Sequence, residues 1–529
     1  MAVVYFDWLD YLVFGAMLLL SALIGVYFAF FATKKQNTTA EYLMGGKTMG
    51  MFPISMSLIA SYISGISLLG LPAEMYTYGT QLWTIVLSEW AVSLTIAIVY
   101  LPVFYNLQIT STYEYLRLRF NQNVRLLGSI IFIIKMMLYI PIVIYVPALA
   151  FSQVTGINLH LITPIVCIVC IFYTTLGGLK AVVWTDTLQT VLMYFGVIFV
   201  LVYGTWRLGG VADVIAINKK GDRLDFFNMD PDPTIRHTFW STVFGNYFSW
   251  LASCSVNQAM VQRCLALSSL KRARISMSTG LNSMCGVIFE DLIRPAYNKP
   301  ISERTASFIM KIIVVIIGAT CVALVFLVEH MGALIQAGKS LAGITAGSLL
   351  GLFSMGLFLP WTNATGALVG GITSTFLVGW ISLGTQAAMI RGDIVVVPKP
   401  VSVSSCMENV TEITTSIPSL NLSSVEFDRS GTFFLYRLSY LYYTFVGMIV
   451  CIIVGTVVSY FTQPNDPAMV HRDLLTPVIH HWLPRQHPHC RRPRLTQHDI
   501  ELHARELSQL HTSTPYTKVH TKLEDTRMT

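Results

Sequence analysis

Long apolar runs with few charges set the fold class of this chain. Only 12% of its 529 residues are Asp, Glu, Lys or Arg, about half of the ~25% found in ordinary soluble proteins. The hydrophobic residues, 54% of the total, gather into runs separated by short polar joints, which is the pattern of a polytopic membrane protein. The sequence therefore predicts an all-α membrane protein and excludes soluble enzymes, nucleic-acid binders and disulfide-stapled secreted domains.

Eleven apolar segments are long enough for the ~20 residues that a membrane helix needs. They cover residues 9–31, 51–72, 82–105, 126–150, 158–176, 181–206, 240–266, 305–328, 336–360, 364–384 and 434–461. A twelfth segment, 276–293, is short, is rich in Ser and Asn, and ends near Glu290 and Asp291. It is not expected to cross the membrane on its own.

The basic residues of the loops predict the orientation, because cytoplasmic loops carry an excess of Lys and Arg. Three lysines follow the first segment, so the N-terminus is expected outside; the net charge of +7 has the same explanation. Basic residues flank 276–293 on both sides, so both flanks are expected in the cytoplasm. Loop 385–433 then lies outside, and its two N-x-[ST] sequons, Asn409 and Asn421, suit glycosylation there.

The tail from residue 462 to 529 has a different composition from the rest of the chain. It contains nine of the twelve histidines and several prolines. A metal site at the cluster 480–490 is one interpretation. A disordered, solvated cytoplasmic tail is the favoured one.

The second segment combines serines with glycine. The serines are Ser55, Ser57, Ser61, Ser64 and Ser67. With Gly65 among them, the helix is expected to unwind and to free carbonyl groups that can coordinate a cation. The alternative is a small-residue face that packs against another helix, and composition does not separate the two.

The seventh segment carries a second polar patch near mid-membrane, formed by Asn246, Ser253, Ser255, Asn257 and Gln258. Between the two patches, Asp186 stands a turn or two into the sixth segment and is a candidate for a cation path. Alternatively, it pairs with a nearby Lys, Arg or helix N-terminus. Lys135 in the fourth segment either snorkels or pairs with a carboxylate such as Asp186. Two polar or broken helices in corresponding halves favour an inverted-repeat secondary transporter over an enzyme, a receptor or a channel.

Several sequence blocks, taken in order, are similar to those of one transporter family. They are EYLMGGKTMG (41–50), SLIASYIS (57–64), GGLKAVVWTD (177–186), NQAMVQRCLA (257–266), STGLNSM (278–284) and GLFSMGLFLPW (351–361). On these blocks the chain resembles the solute:sodium symporter family over about residues 5–470. Within that family it resembles the branch of multivitamin, monocarboxylate and iodide transporters.

The resemblance implies the leucine-transporter fold, an inverted repeat of five plus five helices with extra flanking helices. The expected domains are an N-terminal span and loop (1–50), the first repeat (51–207), the second repeat (240–360, truncated near 275–293), the C-terminal spans (364–461) and the tail (462–529).

The resemblance also implies the site residues. A sodium ion is expected at the carbonyl oxygens of Ala60 and Ile63. Hydroxyls of Ser278 and Thr279 complete its site, and Asp186 matches the acidic residue linked to cation coupling. Oxygen ligands of this kind suit a hard monovalent cation. Substrate contacts are expected from Gly65, Ile66, Ser67, Leu68 and Asn257.

One departure from the family pattern affects this site. After LKRARIS (270–276) the family continues with a complete span, an outer loop and a full-length helix that carries the Ser-Thr pair. Here Ser276 is followed almost directly by Ser278 and Thr279. Roughly 70 residues are missing, enough for one helix, its loop and half of the next helix. The second repeat is therefore expected to be incomplete and transport to be impaired.

Together, these features predict a plasma-membrane symporter, and not an enzyme, that moves a small organic anion such as biotin, pantothenate or another monocarboxylate by alternating access. Sodium is the expected coupling ion, with no other metal or cofactor and no nucleic-acid partner. The alternative is a transport-impaired truncated isoform that acts, if at all, by binding a partner. The sequence leaves the substrate and the oligomeric state open.

Overall fold

The computed structural model describes residues 6–31, 50–63, 65–107, 109, 111–258, 261, 303–328, 334–399 and 432–487. Within these ranges every regular element is a helix, which confirms the all-α prediction. Segment 276–293, with Ser278 and Thr279, and the sequons Asn409 and Asn421 lie outside the described residues.

The helices fall into two groups along the chain. The first group comprises α1 (Trp8–Val26, extended by a π-helical turn Tyr27–Phe31), α2 (Met51–Tyr62), α3 (Leu71–Tyr78, after a π-helical turn Ile66–Gly70), α4 (Ile85–Thr95), α5 (Leu101–Leu107), α6 (Glu114–Arg119), α7 (Gln122–Thr155), α8 (Leu159–Arg207) and α9 (Val211–Lys220). The second group comprises α10 (Asn246–Ser255, after a π-helical turn Trp240–Gly245), α11 (Glu303–Val328), α12 (Leu334–Phe358), α13 (Ala364–Arg391) and α14 (Tyr443–Phe461).

Seven helical runs among the described residues are long and apolar enough to cross a membrane. They are Trp8–Phe31, Thr80–Leu107, Gln122–Thr155, Leu159–Arg207, Phe308–Val325, Ala364–Arg391 and Tyr440–Phe461. Helix α12 contributes a shorter apolar stretch, Ala342–Phe358. The second and seventh predicted spans are interrupted helices.

Helix α8 is two membrane helices joined at Gly178. A straight helix of its 49 residues would be about 74 Å long, more than twice the ~30 Å hydrocarbon core. Gly178 has φ 52° and ψ −154°, a conformation that favours glycine. Tyr173 packs against Gly25 of α1, and Gln189 donates to the hydroxyl of Ser21, one turn away on α1, at 3.2 Å. The chain therefore reverses direction, and its two helices are the first arm (159–177) and the second arm (179–207).

Three segments meet on one face of the bundle. They are the end of α3, the chain before the seventh span (207–239) and the chain after α13 (392–399). The backbone N–H of Lys399 donates to the carbonyl of Thr77 at 2.7 Å. Its ammonium group lies 3.2 Å from carboxylate oxygens of both Asp222 and Asp225. The sequence predicts these three segments to be extracellular. Four predicted spans separate the second from the third, an even number that agrees with their position on one face.

The opposite face gathers the loops predicted to be cytoplasmic. Arg119 is buried and donates from Nε to the carbonyl of Gly356 at 3.0 Å and from Nη2 to that of Leu359 at 2.8 Å. The last carbonyls of a helix have no partner within it, so this guanidinium caps α12. The hydroxyl of Tyr115 donates to the carbonyl of Leu474 at 2.9 Å, which joins the start of the tail to the same face.

The tail differs from the expectation in its first part. Residues 462–487 are folded, with three short 3-10 turns at Pro467–Met469, Arg472–Leu474 and Pro477–Ile479. Leu475 and Thr476 are buried, and the backbone N–H of Thr476 donates to the carbonyl of Leu357 at 3.2 Å. The polar composition of the tail gave no indication that this short segment packs against the end of α12. Residues beyond 487 lie outside the described part of the chain.

Helices α12, α13 and α14 form a closely packed block through small residues. A Cβ added at Gly347 of α12 would lie 2.8 Å from the Cα of Gly447 in α14. A Cβ added at Gly370 of α13 would lie 2.5 Å from the carbonyl oxygen of Cys451 in α14. The hydroxyl of Ser374 donates to the carbonyl of Gly447 at 2.6 Å. Small residues that let backbones approach are typical of helix packing in membranes.

Candidate functional site

The second predicted span is interrupted near its middle. Helix α2 ends at Tyr62, and Ile63 leaves the helical conformation with φ −85° and ψ 85°. The helix resumes at Gly65. The last carbonyls of a helix have no N–H partner within it, and the predicted carbonyl ligands, Ala60 and Ile63, lie at this end of α2. The unwinding expected around Gly65 is therefore present, just before that residue.

Gly65 restarts the helix in close contact with α7. A Cβ at this position would lie 2.7 Å from the Cγ of Pro147, so glycine is what lets the two helices approach this far. The next residues, Ile66–Gly70, form a π-helical turn, a feature that is frequent at functional sites. The sequence left two interpretations of this span open, an unwound helix and a small-residue packing face. Both apply: the helix is unwound at Ile63, and Gly65 packs against α7.

The seventh span is interrupted in a corresponding way. Helix α10 ends at Ser255, and Val256 has φ −115° and ψ 3°. The helix resumes at Gln258, whose Oε1 accepts hydrogen bonds from the backbone N–H and the hydroxyl of Thr112 at 2.5 and 2.7 Å. Asn257, a predicted substrate contact, lies at the interruption. Ser255 and Val256 are each 1% exposed, so the break is inside the bundle.

Asp186 lies against the helix that ends at the first interruption. The hydroxyl of Ser57 donates to Asp186 Oδ2 at 2.5 Å, and Ser57 is fully buried on α2 one turn before Ala60. Tyr173 and Cys170 of the first arm also lie close enough to interact with this carboxylate. The fold thus brings the predicted acidic residue to the helix that carries the predicted carbonyl ligands.

Two threonines of the second arm fix Asp186 in this position. The hydroxyl of Thr187 donates to the carbonyl of Pro53 at 3.3 Å, and that of Thr190 to the carbonyl of Met56 at 3.1 Å. Both acceptors are on α2. The second arm is therefore held along the inner half of the interrupted span by hydroxyl groups on the same side as the carboxylate.

The two internal charges of the bundle do not pair with each other. Lys135 is buried on α7 beside the thiol of Cys254 on α10, and Asp186 bonds to Ser57. The pairing that the sequence left open is not formed between these described side chains. Ser278 and Thr279 lie outside the described residues, and the sodium site as a whole stays a prediction.

An apolar cavity of about 300 Å³ lies between α1, α7, the first arm of α8 and α11. Its walls include Phe14, Pro147, Cys167 and Cys321, and its hydroxyl groups come from Thr163 and Thr174. A carboxylate placed there would lose its hydration without gaining a cation or an N–H donor. The cavity does not suit an organic anion.

A buried ionic cluster that the sequence did not predict lies at the ends of the two interrupted spans, on the face that the sequence predicts to be extracellular. Glu74 of α3 accepts from Arg236 Nη2 at 2.6 Å and lies 3.3 Å from His237 Nε2. The guanidinium of Arg236 lies over the rings of Tyr78 and Tyr440, 4.3 and 5.1 Å from their centroids. A carboxylate two residues beyond Pro72, at the end of an uncharged segment, was the available signal for it.

The charge state of this cluster follows from its contacts. Burial by itself would raise the pKa of Glu74, which lies beyond the second apolar segment. The His237 hydrogen bond and the positive charge of Arg236 outweigh it, so the pKa of Glu74 lies below its usual value of 4.5. Glu74 is therefore ionised at physiological pH, and the pair is held as a salt bridge.

Interrupted helices in the two halves of an all-helical membrane bundle, with a carboxylate beside the first, define a secondary transporter of the inverted-repeat class. A solved structure of a Na⁺-coupled sialic acid symporter in its substrate-bound outward-open state has this fold. The TM-score is 0.67 with 19% identity, and the match covers 87% of this chain and 99% of that one.

The relatives narrow this class to one family. The sodium:solute symporter family model matches residues 42–301. Sodium-coupled monocarboxylate transporter 1 of Xenopus laevis is 37% identical over 536 residues, with 85% of each chain covered. The sodium-dependent multivitamin transporter of Oryctolagus cuniculus is 32% identical over 570 residues, covering 92% of this chain and 89% of the other. The chain belongs to the sodium:solute symporter family.

The match with these relatives is longer than the part of this chain that it covers. The matched 85% of the 529 residues is about 450 residues, whereas the alignment with the Xenopus protein is 536 positions long. About 86 positions of that relative thus have no counterpart here. This number is close to the roughly 70 residues that the sequence indicates are missing after Ser276.

Proposed function

We propose that this chain is a sodium-coupled symporter of a small organic anion, such as biotin, pantothenate or another monocarboxylate. The observation that carries the proposal is the pair of interruptions, at Ile63 and at Val256–Asn257, with Asp186 held beside the first. The names of the relatives, monocarboxylate and multivitamin transporters, support an organic anion as the cargo.

The geometry suggests how the two solutes are held. Sodium takes the carbonyl oxygens of Ala60 and Ile63, with the charge of Asp186 nearby. The outer half of the interrupted span begins at Gly65, so its N-terminus and the amide groups of the residues up to Leu68 face the break. A helix N-terminus favours a negative charge, which suits the carboxylate of the cargo. Rocking of the helical repeats around this site then exposes it to either side of the membrane in turn.

The test is uptake of labelled biotin, pantothenate and a short monocarboxylate, with sodium or with choline in its place, at confirmed surface expression. We expect sodium-dependent uptake of at least one of the three. Asp186→Asn is expected to raise the half-saturating sodium concentration about tenfold or more, because a hydrogen-bonded charge is removed. Asp213→Asn, at an exposed carboxylate of α9, is the matched control and should leave it unchanged.

A second candidate function follows from the departure from the family pattern after Ser276. In this view the chain is a transport-impaired isoform that reaches the surface and acts by binding a partner. Surface delivery without sodium-dependent uptake favours this candidate. Uptake that appears only after the missing segment of a relative is inserted after Ser276 would establish the impairment.

We further place the N-terminus outside the plasma membrane and the tail in the cytoplasm. The support is the distribution of basic residues and the agreement between the predicted sides and the two loop faces of the bundle. Glycosidase treatment should shift the mobility of the wild-type chain, and Asn409→Gln with Asn421→Gln should remove the shift. A shift that persists in the double variant would contradict glycosylation at these two sequons.

A further inference from the structure

The buried ionic cluster joins the two interrupted spans at their outer ends. Glu74 is on α3, the outer half of the first interrupted span. Arg236 and His237 immediately precede the helical turn Trp240–Gly245, which leads into α10, the outer half of the second. One carboxylate therefore links both outer halves, through Arg236 at 2.6 Å and His237 at 3.3 Å.

The cluster is shielded from water. Glu74 is 7% exposed, and the side chains of Arg236 and His237 are 11% and 4% exposed. His237 Nε2 also lies 3.2 Å from the hydroxyl of Tyr440. The tyrosine rings of residues 78 and 440 cover the guanidinium. Water cannot take the place of the Glu74 carboxylate beside Arg236 unless the tyrosine rings move away. The ion pair between Glu74 and Arg236 is therefore strong and directional.

The link reaches the proposed site through rigid elements. Nine residues of helical chain separate Glu74 from Gly65, where the outer half begins, a distance of about 14 Å along the axis. Arg236 lies three residues before the helical chain that begins at residue 239 and runs through α10 to the break before Asn257. A displacement at the cluster is therefore transmitted to both interruptions.

A second ion pair on the same face provides a contrast. Lys399 lies 3.2 Å from Asp222 and from Asp225, but the side chains of those aspartates are 84% and 54% exposed. Exposed pairs of this kind contribute little. They also do not connect the interrupted spans to each other.

We propose that Glu74 is a positioning residue that locks the outer halves of the two interrupted spans in register, and that its carboxylate thereby sets the affinity of the site for sodium. This inference deepens the proposed function and rests on it for its transport readout. Glu74 contacts neither the cation nor the cargo in this assignment; it acts through α3.

The first experiment measures sodium activation of uptake for the wild-type chain, Glu74→Gln, Arg236→Gln and the double variant, each normalised to surface protein. Both single variants should raise the half-saturating sodium concentration about fivefold or more, within the usual range for coupling between sites. The double variant should resemble the singles, because the two residues act as one unit. Asp222→Asn should behave as wild type. A change below twofold in Glu74→Gln, or an equal change in Asp222→Asn, would overturn the proposal.

A second experiment does not require transport. The full chain is purified in detergent, and its thermal midpoint is compared in sodium and in choline. Sodium should raise the midpoint of the wild-type chain and of Asp222→Asn, and the rise should be reduced in Glu74→Gln. An unchanged rise in Glu74→Gln, or no rise in the wild type, overturns the proposal. If the wild type shows this rise in midpoint but no uptake, the proposed transport function fails. The comparison of the rise in wild type and in Glu74→Gln then still tests the positioning role.

Discussion

Replacing Gly347 by alanine should separate α12 from α14. An added Cβ would lie 2.8 Å from the Cα of Gly447 and 2.8 Å from the carbonyl oxygen of Thr444. Both neighbours are backbone atoms, so no side chain can rotate away. An ordinary carbon contact is about 3.5–4.0 Å, so the helices must move apart by about 0.7 Å or more. Overpacking of this kind costs about 1–3 kcal/mol.

The matched control is Gly196→Ala in the second arm of α8, where an added Cβ meets nothing within 4 Å. Both positions are inside helices, so the gain of about 1 kcal/mol in helix propensity from Gly to Ala is common to both. The difference between the two variants therefore isolates the steric term. Thermal unfolding of the purified chain in detergent should give a lower midpoint for Gly347→Ala and an equal or higher one for Gly196→Ala. Equal midpoints for the two variants would refute the packing argument.

Three further predictions concern the faces and the site. Arg119→Met leaves the carbonyls at the end of α12 without their donor and should lower the free energy of unfolding by about 2 kcal/mol or more, which is seen as a lower thermal midpoint. The control Arg391→Met, at an exposed ion pair, should change the thermal midpoint little. Equal losses in the two variants would contradict the capping role of Arg119. Because the pKa of Glu74 is below 4.5 in the folded chain, its stabilising effect is complete above that value and declines as the pH falls through the lowered pKa. The difference in thermal midpoint between wild type and Glu74→Gln should thus shrink as the pH is lowered from about 5 through the lowered pKa. A difference that grows over this range would show the opposite shift. Ser57→Ala removes the hydrogen bond to Asp186 and should raise the half-saturating sodium concentration of uptake about fivefold. Ser93→Ala, at an exposed hydroxyl of α4, should leave this concentration unchanged. The same value in both variants would show that Ser57 is not part of the site.

The sequence predicted the features that have a local cause. The high density of serine around Gly65 in segment 51–72 predicted the first interruption, at Ile63, because such residues stabilise neither a helix nor apolar packing. The boundary between the predicted spans 158–176 and 181–206 marked the turn that the structure places at Gly178. Asp186 was a cation-path candidate from its position in the sixth segment, and the fold brings it from α8 against Ser57 of α2.

Features that depend on distant parts of the chain were not predictable in the same way. The ion pair of Glu74 joins residues that are 162 positions apart, and no periodicity links them. Lys135 had a plausible partner in sequence, yet packing places it next to Cys254. The packing at Leu475 was concealed by the polar composition around it. In each case the partner is chosen by how helices pack, which one sequence does not specify.

The position of α14 in the glycine-packed block has a consequence for inherited variants of this chain. Among the described membrane helices, α14 is synthesised last, yet it closes the grooves of both α12 and α13, at Gly447, Cys451 and Gly455. A nonsense codon within 443–461 would leave two membrane helices with notches shaped for a missing neighbour. Such alleles should behave as losses of the whole protein, cleared by quality control soon after synthesis, although every residue up to 442 is translated.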